Sequence, residues 1–307
     1  MTKIFIDGSA GTTGLRIADR LDQRRDISLI RLTEENRKDP TARADAINSA
    51  DVVFLCLPDP AAIEAVSLTT NPQTRIIDTS TAHRTNPNWV YGMPELSGQL
   101  EKIQTSTRIA NPGCHASGFI ALIAPLVEEG LLSPDAALSA VSLTGYSGGG
   151  KKMIAEYEAA DRSPLLKAPR QYALTQQHKH LKEMVALCGL QNAPIFCPIV
   201  ADFYSGMEVT VPVFAHQLNG TMEQVKELYK TYYDRGLIRF VDQADPDGML
   251  SANAWADRDD MSVCVMGNDQ RIILTARFDN LGKGASGAAI QNMNILLGLD
   301  QSTGLNV

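Results

Sequence analysis

The chain has 307 residues, 44% of them hydrophobic and 21% charged, an ordinary globular composition with room for two domains. A formal net charge of −7 argues against a general nucleic-acid binder and leaves room only for a local basic pocket. Five cysteines, an odd number with no Cys-x-x-Cys spacing, argue against a disulfide framework or structural zinc site and make the cytoplasm the expected compartment. The opening MTKIFIDGSAG lacks a signal-peptide pattern and no apolar run is long enough to span a bilayer, so neither secretion nor membrane insertion is expected.

In chain order, residues 3–7 read as a short buried strand, followed by GSAGTTG and an amphipathic helix in LRIADRL. Residues 27–33 give a second strand, and a helix is expected before Ala50. DVVFLCLP is a third strand, AAIEAVSLTT a helix and RIIDTS a fourth strand. Residues 89–95 read as a loop, and residues 107–110 as a last strand delivering Asn111 and Cys114. Strands alternating with helices predict a doubly wound parallel sheet. After Ser133 the strands lengthen, in ALSAVSLTG, APIFCPIVADFYSGMEVTVPVFAH and SVCVMGNDQRIILTARFDN. With helices such as GTMEQVKELYKTYYDRG among them, they predict an α+β domain on a mostly antiparallel sheet. The final GKGASGAAIQNMNILLGL reads as a helix with a Gly-rich entry, able to pack back on the first domain.

NPGCHASGFIALIAPLVEEGLL places Cys114 where a turn becomes a helix. Unpaired N–H groups and the helix dipole there favour a thiolate, the nucleophilic form of cysteine. A free cysteine is otherwise a small buried apolar residue. Gly8, Gly11 and Gly14 form G-x-x-G-x-x-G between the first strand and helix, the place where a backbone approaches a pyrophosphate. After the second strand, Glu34 and Glu35 suit the ribose hydroxyls of NAD, whereas Arg37 and Lys38 suit the 2′-phosphate of NADP. GYSGGGKK resembles a phosphate-binding loop, but Lys152 stands where magnesium binding needs Ser or Thr. A Gly-rich turn is expected instead, with Ser147, Gly148 and Gly149 offering N–H or hydroxyl groups to an anionic ligand. In QHKHLKEM, His178, His180 and Glu183 lack further ligands at metal spacing, so no metal is expected, and a histidine paired with Cys114 is the stronger reading. A group titrating near neutrality would serve as acid and base. Arg84, in DTSTAHR after the fourth strand, suits bidentate binding of phosphate or carboxylate. Cysteine, histidine, dinucleotide loop and arginine together suit reduction of an acyl group through a thioester.

Taken in order, GSAGTTG, DTSTAHR, YGMPE, NPGCHASG, TGYSGGG, HKHLKEM and DNLGKGASGAAIQN resemble the N-acetyl-γ-glutamyl-phosphate reductases of arginine synthesis, the shorter type 2 branch above all. The resemblance implies an N-terminal Rossmann-like domain over residues 1–113, completed by a C-terminal helix within residues 284–307. It implies a catalytic and oligomerisation domain over residues 114–283, like that of glyceraldehyde-3-phosphate dehydrogenase. It further implies NADP, an acyl phosphate substrate and a homo-oligomer, dimer or tetramer. Cys114 matches the nucleophile, Arg84 the arginine that binds the acyl phosphate, and His178 the acid/base, with His180, Glu183 and Ser147 at the substrate. Gly8, Gly11, Gly14, Gly148 and Asn280 match cofactor positions. His115, Ala116 and Ser117 depart from the aromatic residue and Pro-Thr that follow the cysteine in the larger branch, and Leu-Lys-Glu replaces a Pro-Glu pair after His180. The choice between His178 and His180 therefore stays open. An aspartate-semialdehyde dehydrogenase is the nearest alternative, and a non-catalytic dinucleotide-binding regulator the alternative of another class.

Overall fold

Strand β1 (Thr2–Asp7) sends Ile4 and Ile6 to one side and Phe5 to the other, and all three are buried. The same alternation runs through β3 (Val52–Leu55) and β4 (Arg75–Asp78), where Val52, Phe54 and Ile77 join Ile4, and Val53, Leu55 and Ile76 join Phe5. A sheet buried on both faces needs helices on both faces. One layer is α1 (Thr12–Leu21) with the C-terminal helix; the other is α2 (Pro40–Ser49) and α3 (Asp59–Ser67). With β2 (Ile27–Ile30), β5 (Val90–Tyr91) and β6 (Arg108–Ala110), the strands lie in the order β2-β1-β3-β4-β6-β5, every pair parallel.

The computed structural model describes residues 1–243 and 245–307. They form two compact units: Met1–Pro112 with Ala285–Leu305, and Gly113–Gly284 with Asn306–Val307. Differences from the sequence reading in the first unit are local. β2 is shorter than the sequence suggests and ends at Ile30, whose partner on β1 is Phe5. Val90 and Tyr91, read as loop, pair with Ile109 and Ala110 at the sheet edge. The short helix α4 (Gln99–Thr105), not foreseen, buries only Ile103 and so carries little apolar periodicity. The C-terminal helix, α9 (Gly287–Leu296), belongs to the first unit, where Ala289, Ile290 and Met293 enter its core.

The second unit is a sheet in the order β11-β12-β13-β10-β7-β9-β8. Its strands are β7 (Ser139–Gly145), β8 (Arg170–Gln171), β9 (Ile195–Ala201), β10 (Met207–Phe214), β11 (Ile238–Phe240), β12 (Met261–Gly267) and β13 (Arg271–Phe278). Pairing is antiparallel except for β11 with β12 and β7 with β9. Helix α5 (Cys114–Glu128) packs on β10 and β13, with α7 (Leu181–Cys188) and α8 (Met222–Tyr232) beside it. Because α5 is buried on all sides from His115 to Leu126, it is a core helix rather than a surface one. The opposite sheet face is exposed in part: Ile195, Phe214 and Ile273 are 63%, 56% and 43% exposed, whereas Cys264, Thr275 and Arg277 are buried. Helix α6 (Gly150–Glu158) follows the Gly-rich turn and was not foreseen, since it buries only Tyr157. No helix among the described residues is long and apolar enough to cross a membrane.

Candidate active site

In the first unit the chain order reverses between β1 and β3, and an open α/β sheet binds its ligand outside the strand ends at such a point. The loop after β1 is the G-x-x-G-x-x-G segment. Gly8 has φ of +88°, and a Cβ there would lie 2.3 Å from the Cys56 carbonyl oxygen; one on Gly14 would lie 2.5 Å from that of Gly8. Gly11 is less constrained, because a Cβ there meets nothing closer than 3.5 Å. Beside the loop lies a cavity of about 440 Å³, lined among others by Gly8, Ser9, Ala10, Arg31, Arg37 and Lys38. In its wall Arg43 donates two hydrogen bonds to Asp7 Oδ2, at 3.0 and 2.9 Å, and one to Glu64 at 2.7 Å. Asp7 is nearly buried, and desolvation pushes its carboxyl upward against the pull of Arg43. At the mouth Arg31 pairs with Asp22, and Arg37 with Glu34 at 2.6 Å, whereas Lys38 has no ion-pair partner among the described residues. The cradle and cavity fit a dinucleotide.

After β4, buried Asp78 accepts from Ser80 and binds His83 Nδ1 at 2.7 Å, and the His83 ring stacks on Trp89 with centroids 4.1 Å apart. Arg84 follows, donating from Nε to the Asn111 carbonyl at 3.0 Å and from a terminal nitrogen to that of Thr79 at 3.1 Å. Two backbone carbonyls thus fix the guanidinium.

In the second unit Cys114 is the first residue of α5, half-buried, with Gly113 as its extended cap. The Gly113 amide donates to Glu183 Oε2 at 3.1 Å. A Cβ on Gly284 would lie 3.0 Å from Cys114 Cβ, so glycine there keeps the nucleophile's flank clear. His178 Nδ1 accepts from the His180 amide at 3.2 Å, which leaves the ring proton of neutral His178 on Nε2. His180 opens α7, is buried, and lies 3.8 Å from Glu183 Oε1 through Nε2; the two imidazole rings meet edge to face, 4.7 Å apart. Burial, reinforced by Lys179, pushes His178 down to about 4. The expected titration near neutrality is therefore corrected: in this setting His178 is neutral at pH 7 and offers a hydrogen bond rather than a ready proton.

Ser147 and Asn280 are both buried. Asn280 donates to Ser147 Oγ at 3.0 Å and accepts from the Gly206 amide at 2.9 Å, so its amide joins two loops. Exposed Gly148, beside them, keeps its backbone accessible. Among the described residues no group of His, Cys, Asp and Glu has a metal-binding arrangement.

Sequence reasoning gave no role to His115 or Tyr172. His115 Nδ1 meets Ser142 Oγ and Nε2 meets the Tyr172 hydroxyl, each at 2.7 Å. The only signal in the chain was the departure of His115 from the larger branch's aromatic residue. Asp7 and Arg43 also went unnoticed, because a charge ending a strand 36 positions before its partner makes no local pattern.

Comparisons with known proteins agree with the fold. The family described as "Semialdehyde dehydrogenase, NAD binding domain" matches residues 3–105, and "Semialdehyde dehydrogenase, dimerisation domain" matches residues 114–280. A nicotinamide dinucleotide is therefore the cofactor of the first unit. The chain is 44% identical to "N-acetyl-gamma-glutamyl-phosphate reductase 2" of Nostoc sp., over 99% of both chains. It is 42% identical to the protein of that name from Pseudomonas putida, over 98% of both. The fold is similar to that of aspartate semialdehyde dehydrogenase II from Vibrio cholerae, with TM-score 0.72 and 16% identity over 97% of this chain and 98% of that one.

Proposed function

Because this chain belongs to the N-acetyl-γ-glutamyl-phosphate reductase family, we propose that Cys114 is the nucleophile of an NADPH-dependent reduction, with His178 at the reacting oxygen. The observation that carries the assignment is Cys114 as the opening residue of α5, where the helix dipole favours the thiolate. Of the other cysteines, burial pushes Cys56 up to about 12 and Cys264 up to about 11, and raises Cys188 further.

The Cys114 thiolate adds to the acyl carbon of N-acetyl-γ-glutamyl phosphate; the C–O bond to phosphate breaks, phosphate leaves, and a thioester remains. When bound, the cofactor supplies the hydride that the thioester carbon accepts. The Nε2–H of His178 donates to the oxygen that becomes an alkoxide. Collapse of that thiohemiacetal returns the electron pair to sulfur, releasing the semialdehyde and the Cys114 thiolate. Arg84 binds the phosphoryl group as a planar fork. Buried His180 and Glu183 stand behind His178 and Gly113 and hold the substrate side in shape. Ser147, clamped by Asn280, sets the turn whose Gly148 backbone borders the ligand.

The loop Gly8–Gly14 receives the pyrophosphate of the cofactor, and the mouth residues Arg31, Arg37 and Lys38 take the 2′-phosphate. Arg37 neutralises Glu34, the carboxylate best suited to a ribose diol, and Lys38 adds an uncompensated positive charge. These features support NADP over NAD. The exposed part of the sheet face, with Ile195, Phe214 and Ile273, supports assembly through the second unit as a homo-oligomer.

The test is NADPH oxidation with enzymatically generated N-acetyl-γ-glutamyl phosphate beside aspartyl phosphate. Preference for the first supports the reading; preference for aspartyl phosphate replaces it with that of an aspartate-semialdehyde dehydrogenase.

A further inference from the structure

His115 is 3% exposed and follows the nucleophile directly, so its ring leaves the first turn of α5. Both ring nitrogens are engaged at 2.7 Å, with Ser142 of β7 and with the Tyr172 hydroxyl next to β8. Four other rings surround it: His178, His180, Phe196 and Tyr172, with centroids between 5.4 and 6.1 Å away. We propose that His115 is a positioning residue for the reductase, tying α5 to β7 and setting the Tyr172 hydroxyl and the His178 ring against the first turn of α5, which Cys114 opens. This rests on the assignment of Cys114 as nucleophile.

The chemistry of the ring supports it. Burial, reinforced by Lys179, pushes His115 down to about 3, so it is neutral at pH 7. A neutral imidazole has one donor and one acceptor nitrogen. Two arrangements are then possible. In one, Tyr172 donates to Nε2 and Nδ1–H donates to Ser142. In the other, Ser142 donates to Nδ1, Nε2–H donates to the phenol oxygen, and the phenol proton is free to point away from His115. The second makes Tyr172 a donor to a ligand at Cys114. The Tyr172 phenol stands in the electrostatic field of Cys114, which, after burial, pushes it further up and keeps it protonated. Ser142 and His115 are both buried, so solvent does not compete for the bond between hydroxyl and imidazole.

The segment carrying Tyr172 and His178 is held independently from its outer side. The Gln176 side-chain amide both donates to the Phe196 carbonyl and accepts from its amide, each at 2.8 Å, and Tyr172 N–H donates to the Pro198 carbonyl at 3.0 Å. His115 therefore need not anchor the segment as a whole; its bonds decide where one hydroxyl and one ring edge stand within it.

The experiment is a double-mutant cycle in the full-length enzyme, with His115→Phe, Tyr172→Phe and the pair, measuring kcat and KM with N-acetyl-γ-glutamyl phosphate and NADPH. Each single variant is expected to lose about 10- to 100-fold in kcat, with KM for NADPH within about twofold, as for a misplaced catalytic geometry. The double variant should be no slower than Tyr172→Phe, because both remove one function. His115→Gln, whose amide offers a donor and an acceptor, should recover part of the loss. Losses that multiply, or a His115→Phe enzyme with unchanged kcat, overturn the proposal. If His115→Phe does not fold, Ser142→Ala replaces it in the same cycle with the same two outcomes. Wild-type enzyme in the same assay separates the two ideas. Absence of turnover there sinks the functional reading itself, whereas turnover with a multiplicative cycle sinks only the role of His115.

Discussion

Glu183 Oε2 accepts the amide hydrogen of Gly113 at 3.1 Å, so a buried carboxylate on α7 holds the residue that caps the helix of Cys114. Glutamine keeps an oxygen for that amide, and alanine does not. Glu183→Gln should retain the melting temperature within a few degrees. Glu183→Ala should lose about 1–3 kcal/mol of stability, the cost of an orphaned buried N–H. Equal melting temperatures for the two variants would show that the bond contributes nothing.

Cys114→Ser should abolish reduction in both directions while NADPH binding, followed by fluorescence, stays intact. A serine hydroxyl is several pH units weaker an acid than a thiol, whose ordinary pKa is about 8.5, and stays protonated. Retention of more than a few per cent of activity would remove Cys114 from the nucleophile's role.

Burial holds His178 near 4 and His115 near 3, both below the ordinary value of 6.5. Between those values and about 6.5, the unfolded chain binds protons that the folded chain refuses. Stability is therefore full above about pH 6.5 and falls as the pH drops, by up to about 1.4 kcal/mol per pH unit for each fully affected group. His178→Asn should flatten the decline of melting temperature between pH 6.5 and 4.5. It should also lower kcat by about 10²–10³, the cost of losing one donor to the developing alkoxide. The kcat/KM limb that disappears with it should lie well on the acid side of neutrality. A limb at pH 6.5 that vanishes in His178→Asn would contradict the burial argument.

Arg37→Ala with Lys38→Ala should raise KM for NADPH by about 10- to 100-fold, the scale of a lost charge-assisted contact, and leave KM for NADH nearly unchanged. The ratio of the two KM values is the readout. Parallel increases would mean that these side chains support the loop rather than a phosphate.

Pro125 lies inside α5 and has no N–H for the Ala121 carbonyl; the Tyr233 hydroxyl donates to that carbonyl at 2.7 Å instead. The Tyr229 hydroxyl donates to the neighbouring Leu122 carbonyl. Tyr233→Phe should cost about 1–3 kcal/mol in chemical denaturation without changing KM. An unchanged denaturation midpoint would show the carbonyl finding another donor.

Much of this protein was legible in the chain because the signals are local. Apolar runs bounded by turn residues mark β1, β3 and β4; three glycines at fixed spacing mark the dinucleotide loop; Asn111, Pro112 and Gly113 ahead of an apolar run mark the start of α5. Each depends on neighbours a few residues apart, and backbone sterics act over that range. The motif order carried the family because so many short signals in one sequence are specific together. Short or amphiphilic pieces such as α4 and β5 stayed hidden, since only pairing with Ile109 and Ala110 makes β5 a strand.

What tertiary structure decided is which polar groups lose their water. The chain offers His178 and His180 as equals, two residues apart; folding gives His178 Nδ1 the His180 amide and sets His180 over Glu183. It joins His115 to Ser142 and Tyr172, 27 and 57 positions away, and Asp7 to Arg43. Desolvation and hydrogen bonding depend on these distant partners, and no local pattern encodes them. The residue types capable of the chemistry are therefore written in the sequence, whereas their protonation states and the direction of their hydrogen bonds exist only in the fold.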